Sequence, residues 1–341
     1  MVLGSVLLIL LFAFLLRSGG FPVIPPSDAL SKVSPTVIVG YSAFWICVLL
    51  IRSFRWQYLL APIAPIPLWR VITVSLIGFG ALCLFPLRLG EAVRPTLIRQ
   101  KNKVGWWEAV GTVGAERIFD GLFLSATLAF ALFTTKRLSP LPDHIGALPV
   151  PVAWVPRATT TALSIFGILF VALGLFYFAH DFAKRLIERS VGVVSHKAAS
   201  WLTSAIERVA SGLKFLPMWR YLLPFAIFTV VYWIVNGASL MWLMRGCGLT
   251  SVTLGQAWVA MGVLGLGVVI PNAPGYFGAF QLSLFAGLAL YFRADAVIAA
   301  GAVFVFYAYI IQVGVTILVA LLAWIANSWY SAKAVEIPVR S

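Results

Sequence analysis

The stretch of sequence that decides the fold is Phe85-Pro86-Leu87-Arg88-Leu89-Gly90-Glu91-Ala92-Val93-Arg94-Pro95. It follows an apolar run, residues 71–84, that is shorter than the roughly 20 residues of a membrane span. Prolines and a glycine interrupt a helix here, and three charged side chains lie close together. Within a bilayer, non-helical backbone is tolerated only where it is buried in protein or lines a wet cavity. The stretch therefore predicts either a functional break in a membrane helix or a cytoplasmic loop after a short span.

The composition is that of an integral membrane protein. Of 341 residues, 61% are hydrophobic and only 11% are charged, whereas soluble domains have about 25% charged residues. The apolar runs are continuous, unlike the alternating strands of about ten residues that form membrane barrels. We therefore expect membrane helices with short loops, and no soluble catalytic domain.

The net charge of +14 is carried by short loops between apolar runs. This distribution is typical of the positive-inside rule and favours anionic lipid surfaces. Nucleic acid is not an expected partner, because no soluble basic module is present to hold it. The three cysteines and three histidines are scattered without ligand spacing, so we expect no metal, cofactor or disulfide framework.

The chain divides into two membrane halves joined by a polar segment. The predicted segments are a first half at 1–179, a cytoplasmic amphipathic connector at 180–220, a second half at 221–327 and a tail at 328–341. Each half is predicted to contain a re-entrant hairpin, at about 71–103 and about 254–292. Basic residues on both sides of the run 71–84 favour a hairpin that enters and leaves on the cytoplasmic side.

A second break, Pro271-Asn272-Ala273-Pro274-Gly275, occupies the corresponding position of the second half. Pro271 and Gly275 repeat the spacing of Pro86 and Gly90, and Gly278 follows. Paired Gly/Pro-interrupted segments in two halves indicate a transporter's substrate site. We predict an all-α polytopic bundle of two inverted-topology repeats, with about 6 full spans and 2 re-entrant hairpins, or alternatively about 8 spans.

Charged residues near the first break are suited to an anionic headgroup. Arginine matches phosphate oxygens bidentately, and helix N-termini favour anions. The predicted substrate-binding residues are Arg88, Glu91, Arg94, Arg117, Asn272, Tyr276 and Gln281. Because intramembrane charges need partners, we also predict an ion-pair network of Glu91, Glu116, Arg117 and Asp120. The alternative is that this network only pins the hairpin in place.

Other polar residues receive structural interpretations. Arg52 and Arg55 follow a span predicted at 37–51 and are assigned to a cytoplasmic connection. Asn236 is interpreted as a helix–helix contact, and Trp233 as a core or interfacial aromatic residue.

Three motifs occur in order: Pro86-x-Arg88-x-Gly90-Glu91-x-x-Arg94, Glu116-Arg117-x-x-Asp120 and Pro271-x-x-Pro274-Gly275-x-x-Gly278. Over about residues 5–325 the chain resembles the transmembrane (flippase) domain of the lysylphosphatidylglycerol synthase/flippase family. The resemblance implies a lipid translocase fold with re-entrant helices that meet near the bilayer midplane. It resembles a stand-alone member without the soluble synthase domain, so lysyl transfer is not expected. Gln281 stands where an acidic residue is expected, so a proton- or cation-coupled mechanism that needs a carboxylate there is less expected.

These observations favour a non-enzymatic translocase, a flippase or scramblase, for a phospholipid or a polyprenyl- or hopanoid-type lipid. The alternative is a non-catalytic membrane subunit of a glycolipid or envelope-lipid pathway. An integral-membrane transferase is disfavoured because no paired-carboxylate loop is present to hold a divalent cation. The expected partners are anionic or phosphate-bearing membrane lipids, with a homodimer and a lipid-pathway enzyme also considered. We expect a multi-pass protein of the bacterial inner membrane with both termini in the cytoplasm.

Overall fold

The computed structural model describes residues 9–11, 13–14, 17–18, 20–22, 24–99, 104–144, 147, 152–194, 196–269 and 273–335. Every element assigned within these residues is helical. Five of the helices are long and apolar enough to cross a membrane. The chain is therefore a multi-pass helical membrane protein, which confirms the class predicted from composition.

The described residues form α-helices of very different lengths. In chain order they are α1 (Ser27–Ser31), α2 (Pro35–Leu60), α3 (Leu68–Leu84), α4 (Val93–Ile98), α5 (Trp106–Thr134), α6 (Trp154–Val194), α7 (His196–Gly212), α8 (Trp219–Gly246), α9 (Leu254–Val269), α10 (Ala279–Ala289), α11 (Ala294–Ile298) and α12 (Ala300–Val335). Two 3₁₀ segments, Pro86–Ala92 and Pro274–Tyr276, follow α3 and α9. The segments long enough to span are Pro35–Leu60, Trp106–Thr134, Trp154–Ala179, Trp219–Gly246 and Ala294–Ser328.

Helix α2 is longer than its apolar run suggested. It begins behind Ser34, whose hydroxyl oxygen accepts the Thr36 N–H, and a proline occupies its first position. It continues to Leu60 instead of ending near residue 51. Arg55 is consequently fully buried inside the protein, and its assignment to a cytoplasmic connection was wrong.

In the part of the chain that the structure describes, α3 and α9 are apolar helices too short to span, with 17 and 16 residues. Neither reaches the length of about 20 residues that a perpendicular span requires. Each follows a long helix and is followed by a 3₁₀ segment and a short helix. The long α5 comes directly after α4, whereas a second short helix, α11, precedes the long α12. The order of long helix, short apolar helix, 3₁₀ segment and short helix therefore occurs twice among the described residues.

The packing of these helices is reciprocal. Helix α3 packs on α12 and α9 packs on α5, while α2 and α8 pack along one another. Gly80 permits the first contact, because a Cβ at that position would lie 2.3 Å from the Ala320 Cβ. Small residues allow membrane helices to approach this closely. Each short helix is thus held against a long helix of the other half of the chain.

Helix α6 lies at the periphery and continues into the polar segment. None of its apolar window within Trp154–Ala179 is buried, as expected of a helix that faces lipid tails. It extends without interruption to Val194, and α7 follows at His196. The predicted connector at 180–220 therefore contains the end of one helix and all of a second.

Candidate functional site

The two helix breaks share one backbone feature. One runs Pro86–Gly90 and the other Pro274–Gly278, each beginning a 3₁₀ segment with its proline. Two residues after each proline, Arg88 and Tyr276 adopt left-handed φ values of 60° and 58°. For a non-glycine residue this conformation costs about 1–2 kcal/mol. Among the described residues, the segment that corresponds to 86–90 is therefore 274–278. It begins three positions later than the predicted segment 271–275.

A glycine ends each of these breaks for a different reason. At Gly90 an added Cβ would lie 2.4 Å from the Ala81 backbone, so the break packs directly on α3. Gly278 has φ of 84° and begins α10. Its N–H donates to Gln281 Oε1 at 2.7 Å. Gln281 is buried and acts as the cap of α10, and the structure does not bring it to the cavity described below.

Arg88 connects the first break to the helix that leads to the second. Its Nη1 donates to the Val268 carbonyl oxygen at 2.8 Å, near the end of α9, where helical carbonyls lack intrahelical partners. Its Nε donates to Glu91 Oε1 at 2.9 Å, and Nη2 donates to the same oxygen. The guanidinium therefore links two parts of the chain that are 180 positions apart.

A buried ion-pair network is centred on Glu116, which is fully enclosed. Its Oε1 lies 3.0 Å from Nη2 of both Arg55 and Arg117, and its Oε2 lies 2.9 Å from Arg94 Nη2. Asp120 Oδ2 lies 2.6 Å from Arg55 Nη2. The structure thus places Glu116, Arg117 and Asp120 together.

Glu91, also predicted for this network, forms its ion pair with Arg88. Arg94 is only 2% exposed and its guanidinium lies 4.1 Å from the Trp56 ring centroid. It is therefore enclosed between the network and an aromatic ring. Predicted as a phosphate ligand, it does not line the cavity.

Beside this network lies a cavity with two adjacent compartments of about 190 and 360 Å³. We call it the arginine cavity because Arg52, Arg88 and Arg117 line both compartments, together with Trp233 and Asn236. The residues that line it come from α2, α3, α5, α6, α8, α9, α10 and α12 and from both breaks. The cavity therefore contacts helices from both halves of the chain.

The structure brings four predicted substrate-binding residues to this cavity: Arg88, Glu91, Arg117 and Tyr276. Asn272 and Pro271 lie outside the described residues. Among the residues searched, no group of three His, Cys, Asp or Glu is arranged to hold a metal ion. The carboxylates near the cavity are instead engaged by arginines.

Sequence reasoning missed Arg52, Trp233 and Asn236 as cavity residues. The Arg52 guanidinium lies 4.6 Å from the Phe79 ring centroid, within cation–π range. One available signal was the apolar and aromatic sequence Phe54 to Leu60 that continues α2 past the arginine. Trp233 and Asn236 are three apart on α8 and so share a face.

Comparisons with known proteins identify the family. A family model described as lysylphosphatidylglycerol synthase TM region matches residues 1–316. No curated protein and no solved structure matches the chain. The match covers most of the chain, including both breaks and the arginine cavity. The chain therefore belongs to the lysylphosphatidylglycerol synthase transmembrane-region family, a membrane-embedded family whose surroundings are membrane lipids.

Proposed function

We propose that this protein is a lipid translocase, a flippase or scramblase of the bacterial inner membrane. A polar headgroup moves through the arginine cavity while its acyl or prenyl tails remain in the bilayer. The observation that carries this proposal is the cavity itself, with three arginines beside two interrupted helices. Ionisable groups within a membrane domain are costly and are functional by default.

The inverted-repeat arrangement is part of the proposal. Its support is the repeated order of elements, the two short helices and their reciprocal packing on α12 and α5. In transporters with inverted repeats, substrates bind where interrupted helices meet at the repeat interface. The arginine cavity has both breaks in its lining, through Arg88 and Tyr276.

The cavity offers the chemistry that a phospholipid or prenyl-phosphate headgroup needs. Guanidinium groups donate paired hydrogen bonds to phosphate oxygens and so replace part of the lost hydration. Arg88 lines both compartments. Exchange of its bond to the Val268 carbonyl for a bond to phosphate would pass a headgroup from one compartment to the other.

The lining also gives the tails apolar surfaces on two sides. The larger compartment reaches Phe166 on the lipid-facing helix α6, and the smaller reaches Val313 on α12. A headgroup inside the cavity can therefore remain attached to tails that lie against apolar side chains. We infer entry from the bilayer, and not from the aqueous phase.

The test is lipid movement in proteoliposomes that contain acyl-labelled fluorescent phosphatidylglycerol, phosphatidylcholine or a labelled prenyl phosphate. Wild-type protein should accelerate at least one of them over protein-free vesicles. Arg88→Ala and Glu91→Gln should each slow it about tenfold or more, since a charged hydrogen bond contributes about 1.5–3 kcal/mol. Arg293→Ala is the control, because that side chain is 87% exposed.

Two outcomes would contradict the proposal in different ways. If none of these lipids moves, the translocase assignment fails and a non-catalytic membrane subunit of a lipid pathway becomes the better interpretation. If both variants move lipid as fast as wild type, translocation stands but the arginine cavity is not its route.

A further inference from the structure

The charge of the arginine cavity and its supporting network is unbalanced. Five guanidinium groups meet here, from Arg52, Arg55, Arg88, Arg94 and Arg117. The carboxylates of the described residues that pair with them are Glu91, Glu116 and Asp120. Five cations against three anions leave an excess of two positive charges. Within a membrane domain such an excess calls for an anionic partner.

Three of the five arginines are compensated by the carboxylates. Arg88 pairs with Glu91, and Arg55 lies 2.6 Å from an Asp120 oxygen. Arg94, 2% exposed, pairs with Glu116 and has no contact with the cavity. These pairs use all three carboxylates.

The excess charge therefore reaches the cavity through Arg52 and Arg117. Arg117 is 25% exposed and shares Glu116 with two other arginines. Its Nη2 lies 3.9 Å from Asp120 Oδ2, an oxygen that Arg55 contacts at 2.6 Å. Arg52 has no carboxylate partner among the described residues. Both residues line both compartments of the arginine cavity.

Hydrogen bonding gives an independent indication of an acceptor ligand at the same place. The Nε atoms of Arg52 and Arg117 and the Nε1 of Trp233 are buried donors with no acceptor among the described residues. All three side chains line the cavity. Other such donors lie away from the cavity, among them Arg55 Nε and Arg94 Nε. Buried donors are normally paired in native proteins, and a phosphate group supplies several acceptor oxygens at once.

We propose that the arginine cavity selects a headgroup with two negative charges, a phosphate monoester or a diphosphate, held between Arg52 and Arg117. This inference rests on the proposed translocase function and specifies its substrate class. A monoester phosphate carries about −1.5 to −2 charges at pH 7 and so balances the excess. A phosphodiester headgroup with one charge leaves part of the excess uncompensated, and a zwitterionic or cationic headgroup leaves more.

Arg52 is the specificity-determining residue of this arrangement. Replacement by glutamine removes the cation that lacks a protein partner and reduces the excess from two charges to one. The preference for doubly charged headgroups, measured as the ratio of the two transport rates, should fall. Arg52→Lys keeps the charge and should retain the preference.

The experiment uses full-length protein in proteoliposomes with acyl-labelled phosphatidic acid, phosphatidylglycerol or phosphatidylcholine carrying the same tails. Rates are corrected for protein-free vesicles at each pH. At pH 7.5 phosphatidic acid should move about tenfold faster than the other two lipids. A tenfold ratio of rates corresponds to a barrier lower by about 1.4 kcal/mol. In Arg52→Gln the ratio should approach one, with Arg293→Gln as a control that keeps the wild-type ratio.

The pH dependence separates charge selection from a loss of folding. The second proton of a phosphate monoester dissociates near pH 6. The advantage of phosphatidic acid should therefore shrink between pH 7.5 and 5.5 in the wild type, while phosphatidylglycerol transport changes little. A merely misfolded variant would lose movement of every lipid at every pH.

The outcomes separate this inference from the proposed function. Equal wild-type rates for phosphatidic acid and phosphatidylglycerol would overturn the substrate class and leave the translocase proposal intact. Movement of no lipid would overturn both. Inorganic phosphate distinguishes a lipid from a soluble source: inhibition of lipid movement supports the lipid assignment, whereas thermal stabilisation by phosphate without any lipid movement would assign the site to a soluble phosphate.

Discussion

The two helix breaks share one backbone feature and differ in charge. Both place a non-glycine residue in the left-handed region two positions after a proline. In the first break this residue is Arg88, which bonds Glu91 and the Val268 carbonyl across the protein. In the second it is Tyr276, in a break whose described residues carry no charge. The proline and the left-handed residue interrupt a helix in both breaks, whereas only the first break carries charge, and there we propose that the headgroup binds.

The largest loss of stability should come from Glu116, the centre of the ion-pair network beside the charged break. Glu116→Gln leaves Arg55, Arg94 and Arg117 without their shared carboxylate, and removal of one partner of a buried pair costs about 3–5 kcal/mol. The free energy of unfolding in mixed detergent micelles should fall by that amount. Asp295→Asn is the matched control: its side chain is 81% exposed, so its loss should be below about 1 kcal/mol. Similar losses in the two variants would show that the network does not anchor the break.

The next largest losses of stability should come from the glycines that end the two breaks, and they should be similar. Gly90→Ala forces a Cβ to within 2.4 Å of the Ala81 backbone, and overpacking of this kind costs about 1–3 kcal/mol. Gly278→Ala should also cost about 1–3 kcal/mol, because its φ is 84°. Gly314, with no atom within 4 Å of an added Cβ, is the control. Its alanine variant should be as stable as wild type or more so, and a loss there equal to that of Gly90 would contradict the packing argument.

A smaller effect concerns the strained residues themselves. Because both have φ near +60°, Arg88→Gly should be more stable than Arg88→Ala by about 1–2 kcal/mol, and the same order should hold at Tyr276. At Ala326, exposed on α12, replacement by glycine should instead lower stability by about 1 kcal/mol. Thermal unfolding of these variants in detergent measures all the differences. If alanine is the more stable residue at 88 and 276, the left-handed conformation is not present.

The smallest effect separates capping from substrate binding at the neutral break. Gln281→Ala removes the acceptor of the Gly278 N–H and should lower stability by about 1 kcal/mol. Lipid movement should stay at the wild-type rate, because Gln281 does not line the arginine cavity. Gln256 makes the same kind of cap to Thr253 on an exposed surface, so Gln256→Ala is the matched control and should lose less. Slower lipid movement in Gln281→Ala alone would restore its predicted role as a substrate contact.

The breaks were easier to identify from the sequence than the charges that act there. Prolines and glycines interrupt a helix wherever they occur, so residues 86–90 and 274–278 could be marked as breaks from local chemistry alone. The three-residue difference in their alignment arose because Pro271 and Pro274 are both plausible starting points. Among the described residues, the backbone angles of Arg88 and Tyr276 identify Pro274 as the start of the matching segment.

The arginines show why the rest of the site could not be predicted. Arg52 and Arg55 follow an apolar run and precede several prolines, which is the usual pattern of a cytoplasmic loop. Helix α2 instead continues to Leu60, because most of its next residues are apolar or aromatic and several of them pack inside the protein. One arginine thereby reaches Glu116 and the other reaches the arginine cavity.

The membrane class, the helical architecture, the family and the positions of the breaks could all be inferred from the amino-acid sequence, since hydropathy and backbone preference act over a few neighbouring residues. Which charges are neutralised and which face the cavity became evident only from the packed helices. Arg55 meets Glu116 across 61 positions, and Arg88 meets Val268 across 180. Such pairings depend on how distant helices pack, and the charge that remains at Arg52 and Arg117 follows from that packing.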